Sequence, residues 1–206
     1  DLGIITTPMV YFAAGRLDID AAISLTASHN PPEYNGLKVA LRGAVPVGET
    51  NGLMEIRDLA LAKNWPAVTT RGTMTQEDIK PAYYGYFASF GDFQGKQFTL
   101  AIDTANSMGV YELPIYEQWN ENLTVVNLYN DLDHPFQCHE ANPLKTETLD
   151  ELCLKVKETN ADLGIAYDGD ADRVGFVDET GELMGMDVVS ALIAKPILEQ
   201  KPGATI

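Results

Sequence analysis

Three aspartates at alternate positions, Asp168, Asp170 and Asp172, stand in a short stretch that Arg173 closes. An apolar run precedes it, Leu163–Tyr167, and another follows, Val174–Val177. Both runs read as short strands, which puts the carboxylates on the tight connection between them. Gly169 and Ala171 keep that connection small enough to fold around something. Three like charges this close repel one another unless a cation sits among them. Hard oxygen ligands with no Cys or His in the loop suit Mg²⁺, and Ca²⁺ or Mn²⁺ less well. The stretch reads as a metal loop. A solvated acidic turn is the plainer alternative, yet a turn needs one Asp and one Gly, not three Asp and an Arg between apolar strands. An EF-hand matches in part, with Asp168, Asp170, Asp172 and Glu179 at its positions 1, 3, 5 and 12. Arg173 then takes the sixth position, where the sharp turn needs Gly, and strands rather than helices flank the loop.

A second stretch, Thr26-Ala27-Ser28-His29-Asn30-Pro31, places a hydroxyl at the C-terminal end of a strand, where open α/β sheets carry their sites. Ser28 is a weak nucleophile unless a base or metal assists it. His29 is adjacent, and Lys38 follows on the next strand. A turn whose Ser and Asn cap backbone groups is the bland reading. The Gly-x-Ser-x-Gly elbow of serine hydrolases is absent. Beside a metal loop, phosphoryl transfer is the better reading: a metal neutralises phosphate oxygens while the serine accepts or donates the group.

The elements that must position these loops alternate between helix and strand. Thr7 reads as the N-cap of a short helix, with Pro8 at its first position and Gly15 at its end. Residues 20–26 read as a buried strand, Leu37–Leu41 as the next strand after the Asn35-Gly36 turn, and 51–63 as a helix. After an extended 66–72, Thr75–Asp78 reads as a capping-box variant that opens a helix through the aromatic cluster Tyr83–Phe90, ending at Gly91. An aromatic stripe at this spacing is expected to pack rather than bind a ligand. Then come a strand over Phe98–Asp103, a helix over 107–120, a strand over Leu123–Tyr129 and a loop through His134-Pro135 and Asn142-Pro143. A helix over 146–160, a strand from Asp162, a hairpin closed at Glu179–Glu182, a helix over 187–200 and a strand over Gly203–Ile206 complete the pattern. The expected class is α/β, as two consecutive three-layer α/β/α domains with mixed, mostly parallel sheets.

Composition narrows the function. The 206 residues, 45% hydrophobic, suffice for a large core, with no apolar run as long as a membrane span and no visible signal peptide. Thirty acidic against 14 basic residues give a net charge of −16, which argues against nucleic acid or an anionic membrane as partner. An anionic substrate therefore needs a local cation, either metal, Lys or Arg. Cys138 and Cys153 lack metal-type spacing and are expected to be reduced, so a cytoplasmic setting is expected and the Asn122–Thr124 sequon is incidental. The opening at Asp1, without Met, leads us to expect a fragment.

The Thr26–Pro31 stretch with Tyr34–Lys38, followed by Asp168–Arg173, resembles the two signature loops of the α-D-phosphohexomutase superfamily, closest to its phosphomannomutase/phosphoglucomutase group. The Thr7-Pro8 turn, Phe136–Pro143 and the Ala161–Ile165 lead-in extend the similarity over nearly the whole chain, although Gln137-Cys138 stand where the family often has Pro. The resemblance implies that Ser28 carries a phosphoryl group and that this phosphoserine ligates one Mg²⁺ with Asp168, Asp170 and Asp172. It implies that His29 and Lys38 act near the transferring proton and phosphate, and that Arg173, Asn30 and Lys38 bind phosphate or substrate. Hexose 1-phosphate and hexose 6-phosphate would interconvert through a hexose 1,6-bisphosphate, which also serves as activator. The family has four domains and more than twice this length. The implied parts are residues 1–74 from the first (phosphoserine) domain, 75–91 a linker helix, 92–186 the second (metal) domain and 187–206 the start of a third. The Gly-Glu-x-Ser-Gly-His loop that grips the sugar is absent, since Gly48–Asn51 and Gly181–Met184 begin like it but lack its serine. The fourth domain's phosphate-binding loop, rich in Arg and Ser/Thr, does not occur either. Little turnover is therefore expected from the chain alone. A non-catalytic module binding metal and phosphosugar is the alternative, though a pure binder has no need of a serine nucleophile.

Overall fold

The computed structural model describes residues 1–31, 33–63, 65, 67–133 and 137–206. The first helix, α1 (Thr7–Arg16), is capped by Thr6 rather than Thr7: Thr6 has an extended backbone and its hydroxyl accepts from the Met9 N–H. The helix also runs through Gly15 instead of ending there. Three strands, β1 (Ala21–Leu25), β2 (Leu37–Leu41) and β3 (Val45–Pro46), form an antiparallel sheet in that order. Val10 and Ala14 of α1 pack on Ala22 and Ala40, which buries one face of this sheet. The other face is open, with Ile23 and Leu25 exposed, so β1 is half-buried where a fully buried strand was expected. Its inward residues are small, which lets α1 lie close.

Helix α2 (Leu53–Ala62) buries no residue and ends at Lys63 in the left-handed conformation. The expected helix from Thr75 begins only at Lys80, as α3 (Lys80–Phe87). Pro81 explains the difference: lacking an N–H, proline fits a first turn but breaks an interior one. A 3₁₀ turn continues α3 to Phe90, and the chain leaves the helix at Gly91, as its glycine suggests. The aromatic stripe does pack: the Tyr83 ring meets Phe12 at 5.4 Å and Phe87 at 5.0 Å, over Met9, Ala13 and Ile115.

The second sheet contains β4 (Phe98–Asp103), β5 (Leu123–Leu128), β6 (Leu163–Tyr167) and β7 (Val174–Val177), in the order β5-β4-β6-β7. Strands β5, β4 and β6 are parallel, and β7 returns antiparallel to β6. The α/β class therefore stands, with the parallel pairs in this second sheet. Helix α5 (Asp150–Thr159) covers one face through Leu152 and Val156, against Ala101, Ala166 and Val177. Helix α4 (Leu113–Glu117) covers the other, with Leu113 on Leu100, Ile102 and Ile165. The helix expected over 107–120 is broken into a 3₁₀ turn, Met108–Glu112, followed by α4. Gly109 lies so close to Tyr167 that a Cβ there would come within 2.8 Å of its Cβ, and Pro114 starts the next helix.

Helix α6 (Met186–Gln200) follows the hairpin, and Gly203–Ile206 forms no strand, having no neighbour to pair with among the described residues. The loop residues His134, Pro135 and Phe136 lie outside the described residues. Both cysteines are free, and no described helix is long and apolar enough to cross a membrane.

Candidate active site

The acidic stretch is the tight turn between β6 and β7. The Asp168 N–H donates to the Arg173 carbonyl at 3.1 Å, and the Ala171 N–H donates back to the Asp168 carbonyl at 3.1 Å. Ala171 adopts φ 63°, a left-handed backbone that a non-glycine residue adopts at a cost of about 1 kcal/mol. Such local strain persists only where surrounding structure holds it. Three segments do so: the Gly169 N–H donates to Ala141 O, the Met108 N–H to Gly169 O, and the Thr7 N–H to Asp170 O. The Ala141 segment is itself pinned, because His139 Nε2 lies 3.0 Å from Oδ2 of buried Asp103 at the end of β4. That hydrogen bond raises the His139 pKa, with burial opposing.

The Ser28 loop docks directly on this turn. A Cβ on Gly169 would lie 2.0 Å from the Ser28 carbonyl oxygen, so only glycine permits the approach. Ser28 also takes a left-handed φ of 55°, held by its N–H donating to Thr26 Oγ1. Its hydroxyl donates to Asp168 Oδ2 at 2.8 Å, lies 3.3 Å from His29 Nδ1 and receives Arg173 Nη2 at 3.2 Å. Asp168 is fully buried, and Arg173 holds it through Nε and Nη2 on Oδ2 and its backbone N–H on Oδ1. Arg173 Nη2 also contacts His29 Nδ1.

Lys38 reaches in from β2 and bridges Asp170 Oδ2 and Asp172 Oδ2 at 2.6 Å each. Burial opposes the Lys38 charge, but the two aspartates outweigh it and raise its pKa. Burial likewise works against the Asp170 carboxylate, while hydrogen bonds from Lys38 and Thr7 lower its pKa below the ordinary value. The cluster thus holds charges of both signs close together in a strongly acidic chain.

The residues present fit a hard divalent cation. One oxygen from each of Asp168, Asp170 and Asp172 lies within 4.8 Å of the others. Asp170 Oδ1 is buried with no hydrogen-bond partner in the described structure. An unpaired buried carboxylate oxygen is costly, and a metal would satisfy it. All-oxygen donors suit Mg²⁺.

Of the residues singled out in the sequence, Ser28, His29, Lys38, Arg173 and the three aspartates converge here. Asn30 does not: its side chain donates to the Ala27 carbonyl at 2.8 Å and shapes the turn. Two neighbours went unrecognised in the sequence. Thr7, which reads as a cap in the sequence, donates its hydroxyl to Asp170 Oδ2 at 2.7 Å, and Ser24, facing inward from β1, lies 3.4 Å from that hydroxyl. The Thr6-Thr7-Pro8 doublet was the available signal, since a helix needs only one cap and the second hydroxyl is free for other work. Behind it, buried Glu112 accepts from Thr6 Oγ1 at 2.6 Å and from the Tyr83 hydroxyl at 3.0 Å. Burial raises the Glu112 pKa against those two hydrogen bonds.

Family models described as phosphoglucomutase/phosphomannomutase, alpha/beta/alpha domain I and domain II, match residues 1–64 and 81–181. A phosphomannomutase/phosphoglucomutase of Pseudomonas aeruginosa is 36% identical over all of this chain and 43% of its own length. A phosphoglucomutase of Neisseria gonorrhoeae is 32% identical, over all of this chain and 44% of its own length. The crystal structure of a phosphoglucomutase/phosphomannomutase family protein from Burkholderia thailandensis superposes with a TM-score of 0.87 at 30% identity, covering 99% of this chain and 45% of that one. The chain therefore spans less than half the length of these relatives.

Proposed function

Because the chain belongs to the phosphoglucomutase/phosphomannomutase family of the α-D-phosphohexomutases, we propose that it carries the phosphoryl-transfer machinery of a hexose-phosphate mutase. The observation that supports this most is Ser28 Oγ, 2.8 Å from a fully buried aspartate and flanked by His29 and Arg173. In this reading residues 1–74 belong to the phosphoserine domain, 75–91 link it to the metal domain of 92–186, and 187–206 enter a third.

Ser28 holds the phosphoryl group. A hydroxyl of the hexose phosphate attacks phosphorus, and the new O–P bond forms as the bond to Ser28 Oγ breaks. His29, with Nδ1 3.3 Å from Ser28 Oγ, passes the sugar's proton to that departing oxygen, so charge and atoms balance. The hexose 1,6-bisphosphate then turns round and returns the other phosphate to Ser28 by the reverse step. Arg173 and Lys38 place fixed positive charge where phosphate oxygens must sit. A Mg²⁺ held by Asp168, Asp170, Asp172 and phosphorylated Ser28 would neutralise charge on the phosphate oxygens. The sugar-gripping and distal phosphate loops do not occur in these 206 residues, so the chain by itself is expected to accept a phosphoryl group but to turn over poorly.

Intact mass after exposure to glucose or mannose 1,6-bisphosphate tests the reading. One added phosphoryl group, removed again by glucose 1-phosphate, supports the mutase. Phosphosugar binding with unchanged mass would point instead to a non-catalytic binding module. The metal site makes a separate prediction. Mg²⁺ at about 100 times its Kd stabilises a native state by about 2.7 kcal/mol, and Asp170→Asn removes a charged ligand. We expect the Mg²⁺-induced rise in Tm to fall by at least half in Asp170→Asn; equal rises would remove Asp170 from the metal site.

A further inference from the structure

We propose that Thr7 is a positioning residue for the metal loop, gripping Asp170 at two points so that Oδ1 is the oxygen left free as a ligand. The inference rests on the metal site proposed above. Thr7 donates its hydroxyl to Asp170 Oδ2 at 2.7 Å and its N–H to the Asp170 carbonyl at 3.1 Å. Lys38 also occupies Oδ2, leaving Oδ1 buried and unpartnered. Two donors on one oxygen and none on the other distinguish the two ends of a single carboxylate.

Lys38 cannot set this orientation alone. Its ammonium is shared with Asp172 and sits on a flexible four-carbon stem. Thr7 is β-branched and therefore stiff, is 1% exposed, and stands in the first turn of α1, where its N–H has no helical partner to satisfy. The grip is braced from behind. Thr6 accepts from Met9 N–H and donates to Glu112, which also accepts from Tyr83. Glu112 precedes α4, and Tyr83 lies on α3, so α1 is tied at its N-terminus to the unit that carries the acidic turn.

Mn²⁺ titration followed by electron paramagnetic resonance, on the native protein and on Thr7→Val and Thr7→Ser, tests this. Losing a supporting hydrogen bond on a metal ligand costs roughly 10-fold or more in affinity. Thr7→Val should therefore bind Mn²⁺ roughly 10-fold more weakly, whereas Thr7→Ser, which keeps the hydroxyl, should bind within about twofold of the native protein. Should Thr7→Val lose its native circular dichroism, Thr7→Ala supplies the same contrast without the buried branch. Val10→Ala serves as the structural control: it loosens α1 on its sheet without touching Asp170, and should lower Tm while leaving Mn²⁺ affinity unchanged. Native affinity in both hydroxyl-less variants, or equal weakening by Val10→Ala, would overturn the role of Thr7. A native protein that binds no Mn²⁺ would overturn the metal site itself, and the role of Thr7 with it.

Discussion

Replacing Gly169 with alanine should separate the two loops of the site while leaving most of the fold in place. The added Cβ would lie 2.0 Å from Ser28 O and 2.8 Å from Ser28 C, both backbone atoms that cannot swing aside as a side-chain end would. Gly169 does not use a left-handed backbone, so alanine brings no conformational penalty of its own there. The whole effect comes from contact. Overpacking of this kind costs about 3 kcal/mol, which in a chain of this size lowers Tm by roughly 6–12 °C. The loops can relieve the clash by moving apart, which carries Ser28 Oγ away from Asp168. A misplacement of about 1 Å can cost roughly 10²-fold in rate, so phosphoryl uptake from hexose 1,6-bisphosphate should fall by about that factor. Gly85→Ala provides the contrast. Gly85 lies in α3 with nothing within 4 Å of its would-be Cβ, so alanine there should be neutral or stabilising by up to about 1 kcal/mol. Uptake by Gly169→Ala at the native rate would show that the close contact of the two loops is dispensable.

The charged part of the site was legible in the sequence because its residue types are costly without a purpose. Three aspartates on a strand connection, a serine at a strand end, and Lys38 and Arg173 in a strongly acidic chain each ask for a partner. The structure brings them together. What could not be read depends on contacts distant in the chain. Thr6 and Thr7 are equally competent caps, and the choice is made by Asp170, 163 positions away, which takes the Thr7 hydroxyl. That Ile23 and Leu25 face outward while Ala22 and Ser24 face α1 follows from which side the helix packs on, and an apolar run does not reveal this. The start of α3 was legible in principle, since Pro81 excludes a helix interior, but the capping signal at Thr75–Asp78 outweighed it. The hydrogen bond from the Asn30 amide to Ala27 O, which shapes the turn, is likewise a detail that its motif does not reveal.

Ser28→Ala should abolish phosphoryl uptake, the largest effect expected of any single substitution in the chain. Without Oγ there is no atom to carry the group, and loss of a covalent nucleophile costs on the order of 10³-fold or more. Neighbouring hydroxyls are committed elsewhere: Thr26 Oγ1 accepts the Ser28 N–H, and Ser24 lies against Thr7. Neither is held against Asp168 and Arg173 as Ser28 is. The fold should tolerate the change, because the Ser28 side chain is only partly buried and Arg173 still hydrogen-bonds both Asp168 oxygens.

The most direct measurement is therefore to incubate the native protein and Ser28→Ala with Mg²⁺ and hexose 1,6-bisphosphate carrying radioactive phosphate, digest both, and map the label. A single labelled peptide is expected in the native protein, modified at Ser28, and none in Ser28→Ala. Label on Ser24 or Thr26, or equal labelling of the two proteins, would contradict Ser28 as the phosphoryl carrier.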